Sequence, residues 1–192
     1  MVNVCMSESV RVDRGHVIKL DEMLATSERK RVLVINDDPA ILDVFRELLE
    51  EEGYEAVIDT LKTGSLQMQY DRVIAERPDV IVLDFLILGE QHGWQFLQLI
   101  KMQPKTARVP VVVCTAAVEL VRELGAHLTK LHVEVVLKPF EIDNLYEAIA
   151  RAIKETDGDP WLSDRHQERD DDRREFIRQV SPHASVPSSA AR

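Results

Sequence analysis

Carboxylate, hydroxyl and ammonium side chains recur along the sequence at the ends of short apolar runs. Asp37 follows the first of these runs, Asp84 closes another, and Thr115 and Lys138 follow two more. Carboxylate oxygens are hard ligands that suit Mg²⁺, whereas a hydroxyl and an ammonium donate hydrogen bonds to phosphoryl oxygens. If the fold brings these four residues together, they can form a site for a divalent cation and a phosphoryl group.

The apolar runs are typical of buried strands and alternate with segments of helical periodicity. Each run is short, rich in β-branched residues and apolar throughout, which predicts a strand covered on both faces. Apolar residues between the runs recur at spacings of three and four, which predicts a helix after each strand. The predicted fold class is therefore α/β, with five βα units in a doubly wound parallel five-stranded sheet. The predicted strands are 31–36, 55–59, 80–84, 109–114 and 133–137.

Ligands of doubly wound folds bind beyond the carboxyl ends of the strands, so the residues found there carry most of the functional information. Asp38 before Pro39 also predicts the start of the first helix, and Gly53 predicts its end. The polar residues that the predicted strands place at this edge are Asn36, Asp37, Asp38, Asp84, Thr115 and Lys138.

Composition and charge divide the 192-residue chain into three zones and exclude several classes of partner. The patterns predict a weakly ordered extension over residues 1–29 and a folded domain over residues 30–154. They also predict a charged tail containing serine and proline over residues 155–192, which is disordered apart from one or two helical turns around residues 170–179. A net charge of −10 repels nucleic acid and anionic membranes.

Two widely separated cysteines favour a reducing compartment, and no apolar run approaches the ~20 residues of a membrane span. A cytoplasmic location is therefore expected.

Four short motifs in this order resemble those of receiver domains in bacterial two-component response regulators, including the single-domain, CheY-like members. The resemblance covers residues 30–154 and implies the flavodoxin-like strand order 2-1-3-4-5. The motifs are Asn36-Asp37-Asp38-Pro39, Asp84 after Val80-Ile81-Val82-Leu83, Cys114-Thr115-Ala116 and Leu137-Lys138-Pro139-Phe140.

The resemblance also implies a role for each matching residue. Asp84 corresponds to the phosphoacceptor, whose carboxylate forms an acyl phosphate. Thr115 and Lys138 correspond to the switch pair that binds the phosphoryl oxygens, and the peptide bond before Pro139 is commonly cis in this family.

A divalent metal, Mg²⁺ or Mn²⁺, is the cofactor that the resemblance implies. Asp37 corresponds to its principal ligand, with Asp84 and the backbone carbonyl of Leu86 as further ligands. Asn36 or Asp38 is expected to contribute through a bound water.

Two departures from the family pattern affect these expectations. Most members have two adjacent acids where this chain has Asn36 before Asp37, so we expect weaker Mg²⁺ binding. The aromatic switch position is occupied by Val135, so the coupling between threonine and an aromatic ring that the family uses is not expected here.

The leading hypothesis is a stand-alone, non-enzymatic phosphoacceptor in a two-component phosphorelay. A sensor histidine kinase or histidine phosphotransfer protein would phosphorylate Asp84, and signalling would proceed through contact with a downstream protein target. A degenerate receiver that binds proteins independently of phosphorylation is the alternative. An aspartyl-phosphate phosphohydrolase ranks last, because Leu86 stands where such enzymes usually carry a second acid. Homodimerisation through the fourth and fifth helices is left open.

Overall fold

The computed structural model describes residues 9–12, 16–19, 29–60, 65–86, 90–156, 164, 167–172 and 174–175. The chain divides into two compact units, one formed by Lys30–Ser163 and the other by Met1–Arg29 with Asp164–Arg192. No helix within these described ranges has the length and apolar character needed to cross a bilayer.

The smaller unit contains two short strands that the sequence did not predict. Strands β1 (Ser9–Val12) and β2 (His16–Lys19) pair antiparallel within the extension that was expected to be weakly ordered. Each strand has only four residues, at the lower limit at which a period of two can be recognised. In the tail, where one or two helical turns were expected around residues 170–179, residues 167–172 are helical, and Gln167 Nε2 donates to Asp171 Oδ1 at 3.0 Å, a pairing that supports a helix.

The larger unit contains the predicted five-stranded parallel sheet, in the order β4-β3-β5-β6-β7. Counted within the sheet, this is the flavodoxin-like order 2-1-3-4-5, so the predicted fold is confirmed. One strand is shifted from its predicted position, because Val109 N donates to Thr106 O in a turn and Pro110 has no N–H for a ladder bond. The strands are β3 (Arg31–Ile35), β4 (Glu55–Asp59), β5 (Val80–Asp84), β6 (Val111–Thr115) and β7 (Val133–Leu137).

A helix follows each strand of this sheet, as predicted. Asp38 caps the first helix, because its Oδ1 accepts a hydrogen bond from Ala40 N at 2.9 Å. Gly53 follows the end of that helix with a φ of +91°, a conformation that glycine adopts at little cost. The helices are α1 (Pro39–Glu51), α2 (Leu66–Glu76), α3 (Glu90–Met102), α4 (Val118–Lys130) and α5 (Ile142–Thr156).

Two hydrophobic clusters, one on each face of the sheet, pack the helices against the strands. One joins the strands to α2, α3 and α4, and Phe96 and Leu97 are fully buried within it. The other joins the strands to α1 and α5 through residues such as Leu42 and Ile149. Burial on both faces explains why the three central strands, β3, β5 and β6, are apolar along their length and turn polar only at their ends.

Lys101, near the end of α3, is an ionisable residue within this packing. Its Nζ donates to Val109 O at 2.9 Å, and burial lowers the pKa of its ammonium to about 8. Above pH 8 the folded chain loses this proton, whereas the unfolded chain keeps it until its pKa of about 10.5. The unfolded state then binds more protons, so the free energy of unfolding rises with pH.

Cys114 opposes this rise at higher pH. Burial raises the pKa of its thiol to about 12, so above pH 9 the thiol ionises first in the unfolded chain, and this loss of stability offsets the further gain from Lys101. We expect urea unfolding to show a gain of about 1 kcal/mol between pH 8 and 9. Lys101→Met should remove the gain, and Cys114→Ala should extend it toward pH 10. An unchanged pH profile in Lys101→Met would contradict this assignment.

Candidate functional site

Asp84 lies at the carboxyl end of β5, where three donors hold its carboxylate. Lys138 Nζ lies 2.7 Å from Asp84 Oδ2, and Asn36 Nδ2 donates to the same oxygen at 3.1 Å. Leu86 N donates to the other oxygen, Oδ1, at 2.9 Å. The Asp84 side chain is only 12% exposed, so these contacts act in a partly desolvated environment where charge-assisted hydrogen bonds are strong.

Strand register explains why these residues meet. Ile35, the last residue of β3, pairs with Leu83 on β5. The residues that follow them, Asn36 and Asp84, therefore also lie side by side, and Asn36 Nδ2 contacts Asp84 Oδ2. Asp84 pairs with Cys114 on β6, and Thr115 comes one residue later. A single sheet edge therefore presents groups from three adjacent strands.

The fifth strand brings Lys138 to the same edge. Leu137, the last residue of β7, pairs with Thr115, and Lys138 N donates to Thr115 O at 2.9 Å. The Lys138–Pro139 peptide bond is cis. This backbone contact ties the lysine to the end of β6, from which its side chain reaches Asp84.

Thr115 is fully buried, and its hydroxyl acts as a hydrogen-bond acceptor. Its Oγ1 accepts a hydrogen bond from Ala117 N at 3.1 Å. Within the described part of the chain, no acceptor takes the hydroxyl hydrogen. Thr115 can therefore donate to a ligand oxygen at this edge.

Asn36 is 3% exposed, and its amide has a defined orientation. Its Oδ1 accepts from Asp38 N at 2.8 Å, which leaves its Nδ2 to donate to Asp84. Asp38 is itself occupied as the cap of α1 and is exposed, whereas Asp37 between them is half-buried. Asn36 thus contributes a neutral donor to the acceptor carboxylate where a second acid would contribute charge.

The carboxylate and carbonyl oxygens at this edge are ligand types that a magnesium ion accepts. Across the described residues, no group of three or more His, Cys, Asp and Glu side chains is arranged to hold a metal. Mg²⁺ keeps several waters and is commonly held by one or two carboxylates, which Asp37 and Asp84 can supply. The Leu86 carbonyl follows two residues after Asp84 and would add a backbone oxygen.

Replacing Asn36 by Asp should tighten Mg²⁺ binding about tenfold and destabilise the metal-free protein. The new carboxylate would stand where Nδ2 now lies 3.1 Å from Asp84 Oδ2, and two such anions repel unless a cation lies between them. Calorimetric Mg²⁺ titration and urea unfolding with and without Mg²⁺ measure both effects. Asn144→Asp, on the exposed side of α5, is the matched control. Unchanged or weaker Mg²⁺ binding in Asn36→Asp would refute this account.

Cys114 adjoins the site without belonging to its reactive set. It is 2% exposed, and burial raises the pKa of its thiol to about 12. The charge of Lys138 lowers this pKa by a smaller amount, and the charge of Asp84 raises it. The thiol therefore stays neutral and packs as a small hydrophobic group. Cys5, the other cysteine of the sequence, lies outside the described residues.

The sequence analysis did not identify Gly93, which packs directly against the acceptor strand end. A Cβ at Gly93 would lie 2.6 Å from Phe85 O and 2.9 Å from Asp84 O, so only glycine lets α3 approach this closely. A glycine inside a helical pattern is the one sequence signal that could have identified it. Phe85 beside Asp84 is itself fully buried.

Comparisons with known proteins place the larger unit in a known family of domains. A family model for the response regulator receiver domain matches residues 32–150. The chain is 29% identical over 140 residues to the DNA-binding dual master transcriptional regulator RpaA of Synechocystis sp., covering 72% of this chain and 54% of RpaA. It is 28% identical over 125 residues to sporulation initiation phosphotransferase F of Bacillus subtilis, covering 64% of this chain and 92% of the relative.

Solved structures support the same fold. The crystal structure of a sensor protein from Polaromonas sp. JS666 matches with a TM-score of 0.56 and 26% identity, covering 66% of this chain and 98% of that chain. The chain spans about half the length of RpaA but most of the length of phosphotransferase F. The similarity to these relatives therefore concerns one shared domain.

Proposed function

Because the chain belongs to the family of response regulator receiver domains of two-component systems, we propose that Asp84 accepts a phosphoryl group from a phosphohistidine. The observation that carries this proposal is the 2.7 Å contact between Lys138 Nζ and Asp84 Oδ2 at the carboxyl edge of a parallel sheet. An ammonium in this position orients the carboxylate, which is the nucleophile of the proposed reaction. It also lies where negative charge gathers during phosphoryl transfer.

In the proposed reaction, a carboxylate oxygen of Asp84 attacks the phosphorus atom of the donor. The new phosphorus–oxygen bond forms as the phosphorus–nitrogen bond breaks, and the imidazole nitrogen leaves with the electron pair. Lys138 and the Thr115 hydroxyl donate to the transferred phosphoryl oxygens.

Bound Mg²⁺ or Mn²⁺ would supply positive charge beside those oxygens. Asp37, Asp84 and the Leu86 carbonyl would hold the ion, and Asn36 or Asp38 would contribute through water.

Exposed apolar side chains beside these residues favour a protein as the phosphoryl donor. Leu86 is 37% exposed, Val118 is 42% exposed, and Leu137 is 40% exposed. Each lies within three residues of Asp84, Thr115 or Lys138, so a partner that reaches the carboxylate also covers apolar surface. A sensor histidine kinase or a histidine phosphotransfer protein provides both the phosphohistidine and a surface of this kind.

We further propose that the chain is a cytoplasmic, non-enzymatic signalling module whose output is a protein contact. The net charge of −10 disfavours direct binding of this chain to nucleic acid. The DNA-binding activity named for RpaA belongs to a protein of which this chain covers 54%, so it is not transferred here.

Intact mass spectrometry after incubation with acetyl phosphate and Mg²⁺ tests the central proposal. We expect the wild-type chain to gain the mass of one phosphoryl group and Asp84→Asn to gain none. A mass gain that persists in Asp84→Asn would place the acceptor elsewhere and contradict the assignment.

A phosphorylation-independent binding module is the second candidate function, and the Asn36 amide favours it. Its contact with Asp84 Oδ2 gives the carboxylate a neutral partner where an acid would favour metal binding. If neither acetyl phosphate nor a phosphohistidine donor modifies the wild-type chain in saturating Mg²⁺, this second function replaces the first.

A further inference from the structure

Three rings in edge-to-face contact connect the acceptor strand end to α4. The ring centroids of Phe85 and Trp94 lie 6.2 Å apart at an interplanar angle of 88°. Those of Trp94 and His127 lie 5.6 Å apart at 70°. Both pairs have the separation and tilt of favourable aromatic contacts. A side chain of α3 therefore bridges the residue after Asp84 and the exposed surface of α4.

Phe85 is packed so tightly that any movement of the Asp84 backbone would also move the residues that contact Phe85. Its side chain is fully buried, and its carbonyl lies against Gly93, where an added Cβ would be 2.6 Å away. The next residue, Leu86, donates its N–H to Asp84 Oδ1. Because a closely packed interior absorbs little displacement, a new group on Asp84 that broke this bond would shift Phe85 against Trp94.

Trp94 also lies in the hydrophobic cluster that packs α4 onto the sheet. It contacts this cluster together with Leu120 and Leu124 of α4 and Val135 of β7. On this side of the sheet, α3 thus contributes the aromatic residues Trp94 and Phe96, whereas β7 contributes the smaller Val133 and Val135.

We propose that Trp94 couples the phosphorylation state of Asp84 to α4, with Phe85 as its contact on the acceptor side and His127 as its contact on α4. This inference rests on the proposed function, because it requires a phosphoryl group on Asp84. It assigns Trp94 a positioning role and no contact with the transferred group.

Hydrogen exchange of the α4 amides, measured on the full chain in Mg²⁺ with and without acetyl phosphate, tests the coupling. Intact mass of the same samples reports the phosphorylated fraction separately. We expect phosphorylation to change α4 exchange in the wild type. Trp94→Leu should reduce that change about 2- to 10-fold at an equal phosphorylated fraction. Trp94→Phe, which keeps a ring, should retain most of it.

His127→Ala provides a second variant that leaves the core intact, since His127 is exposed. We expect it to reduce the α4 response about 2-fold or more, whereas Glu123→Ala, at an exposed position on the same helix, should not. An undiminished response in His127→Ala or in phosphorylated Trp94→Leu overturns the coupling, as does a phosphorylated wild type whose α4 amides do not respond. A wild type that gains no phosphoryl mass refutes the proposed function, and the coupling with it.

Discussion

Lys138→Met should slow phosphorylation of Asp84 by acetyl phosphate about 100-fold at saturating Mg²⁺. The ammonium lies 2.7 Å from Asp84 Oδ2, and its side chain is 26% exposed, so water replaces it only in part. Loss of a single preorganised donor from such an environment typically costs this much in rate. Initial rates from intact mass, taken over a range of Mg²⁺ concentrations, measure the effect.

The same substitution should tighten Mg²⁺ binding, because the ammonium and the metal both draw on the negative charge of Asp84. A slower reaction combined with a higher Mg²⁺ affinity distinguishes loss of the donor from collapse of the site, which would weaken both. Lys130→Met, at an exposed position near the end of α4, is the matched control and should react at the wild-type rate. If Lys138→Met reacts within about twofold of wild type, the lysine does not act on the transferred phosphoryl group.

The convergence of Asp84 and Lys138 could be predicted because it depends on topology. Residues at the carboxyl ends of neighbouring parallel strands meet whatever the details of packing, and the apolar runs locate those ends to within a residue or two. β6 begins two residues later than predicted, because Val109 lies in a turn and Pro110 has no N–H to donate to the strand ladder. The run of valines in the sequence gives no sign of this boundary.

Features that depend on three-dimensional packing could not be predicted in this way. The sequence identifies Asn36 as a departure from an acidic pair. The orientation of its amide, however, is set by the hydrogen bond that Asp38 N donates to Asn36 Oδ1. Trp94 reads as a packing residue in any helical pattern, and its contacts with Phe85 and His127 depend on how α3 and α4 lie on the sheet. The roles of such residues become visible only from distances between elements.

Gly93→Ala should lower the free energy of unfolding by about 2–3 kcal/mol, although Gly→Ala within a helix ordinarily stabilises by about 1 kcal/mol. The added methyl would lie 2.6 Å from Phe85 O, 2.8 Å from Phe85 Cα and 2.9 Å from Asp84 O. All three are backbone atoms of the acceptor strand end, so relief requires α3 or the Asp84–Phe85 backbone to move. We therefore expect slower phosphorylation of Asp84 together with lower stability.

Gly125→Ala should change the free energy of unfolding in the opposite direction to Gly93→Ala. Gly125 lies in α4, and a Cβ there would meet nothing within 4 Å, so the substitution should raise the free energy of unfolding by up to about 1 kcal/mol. Urea unfolding of both variants compares one chemical change in two environments. If Gly93→Ala is as stable as Gly125→Ala and is phosphorylated at the wild-type rate, the close approach of α3 does not hold the acceptor carboxylate in place.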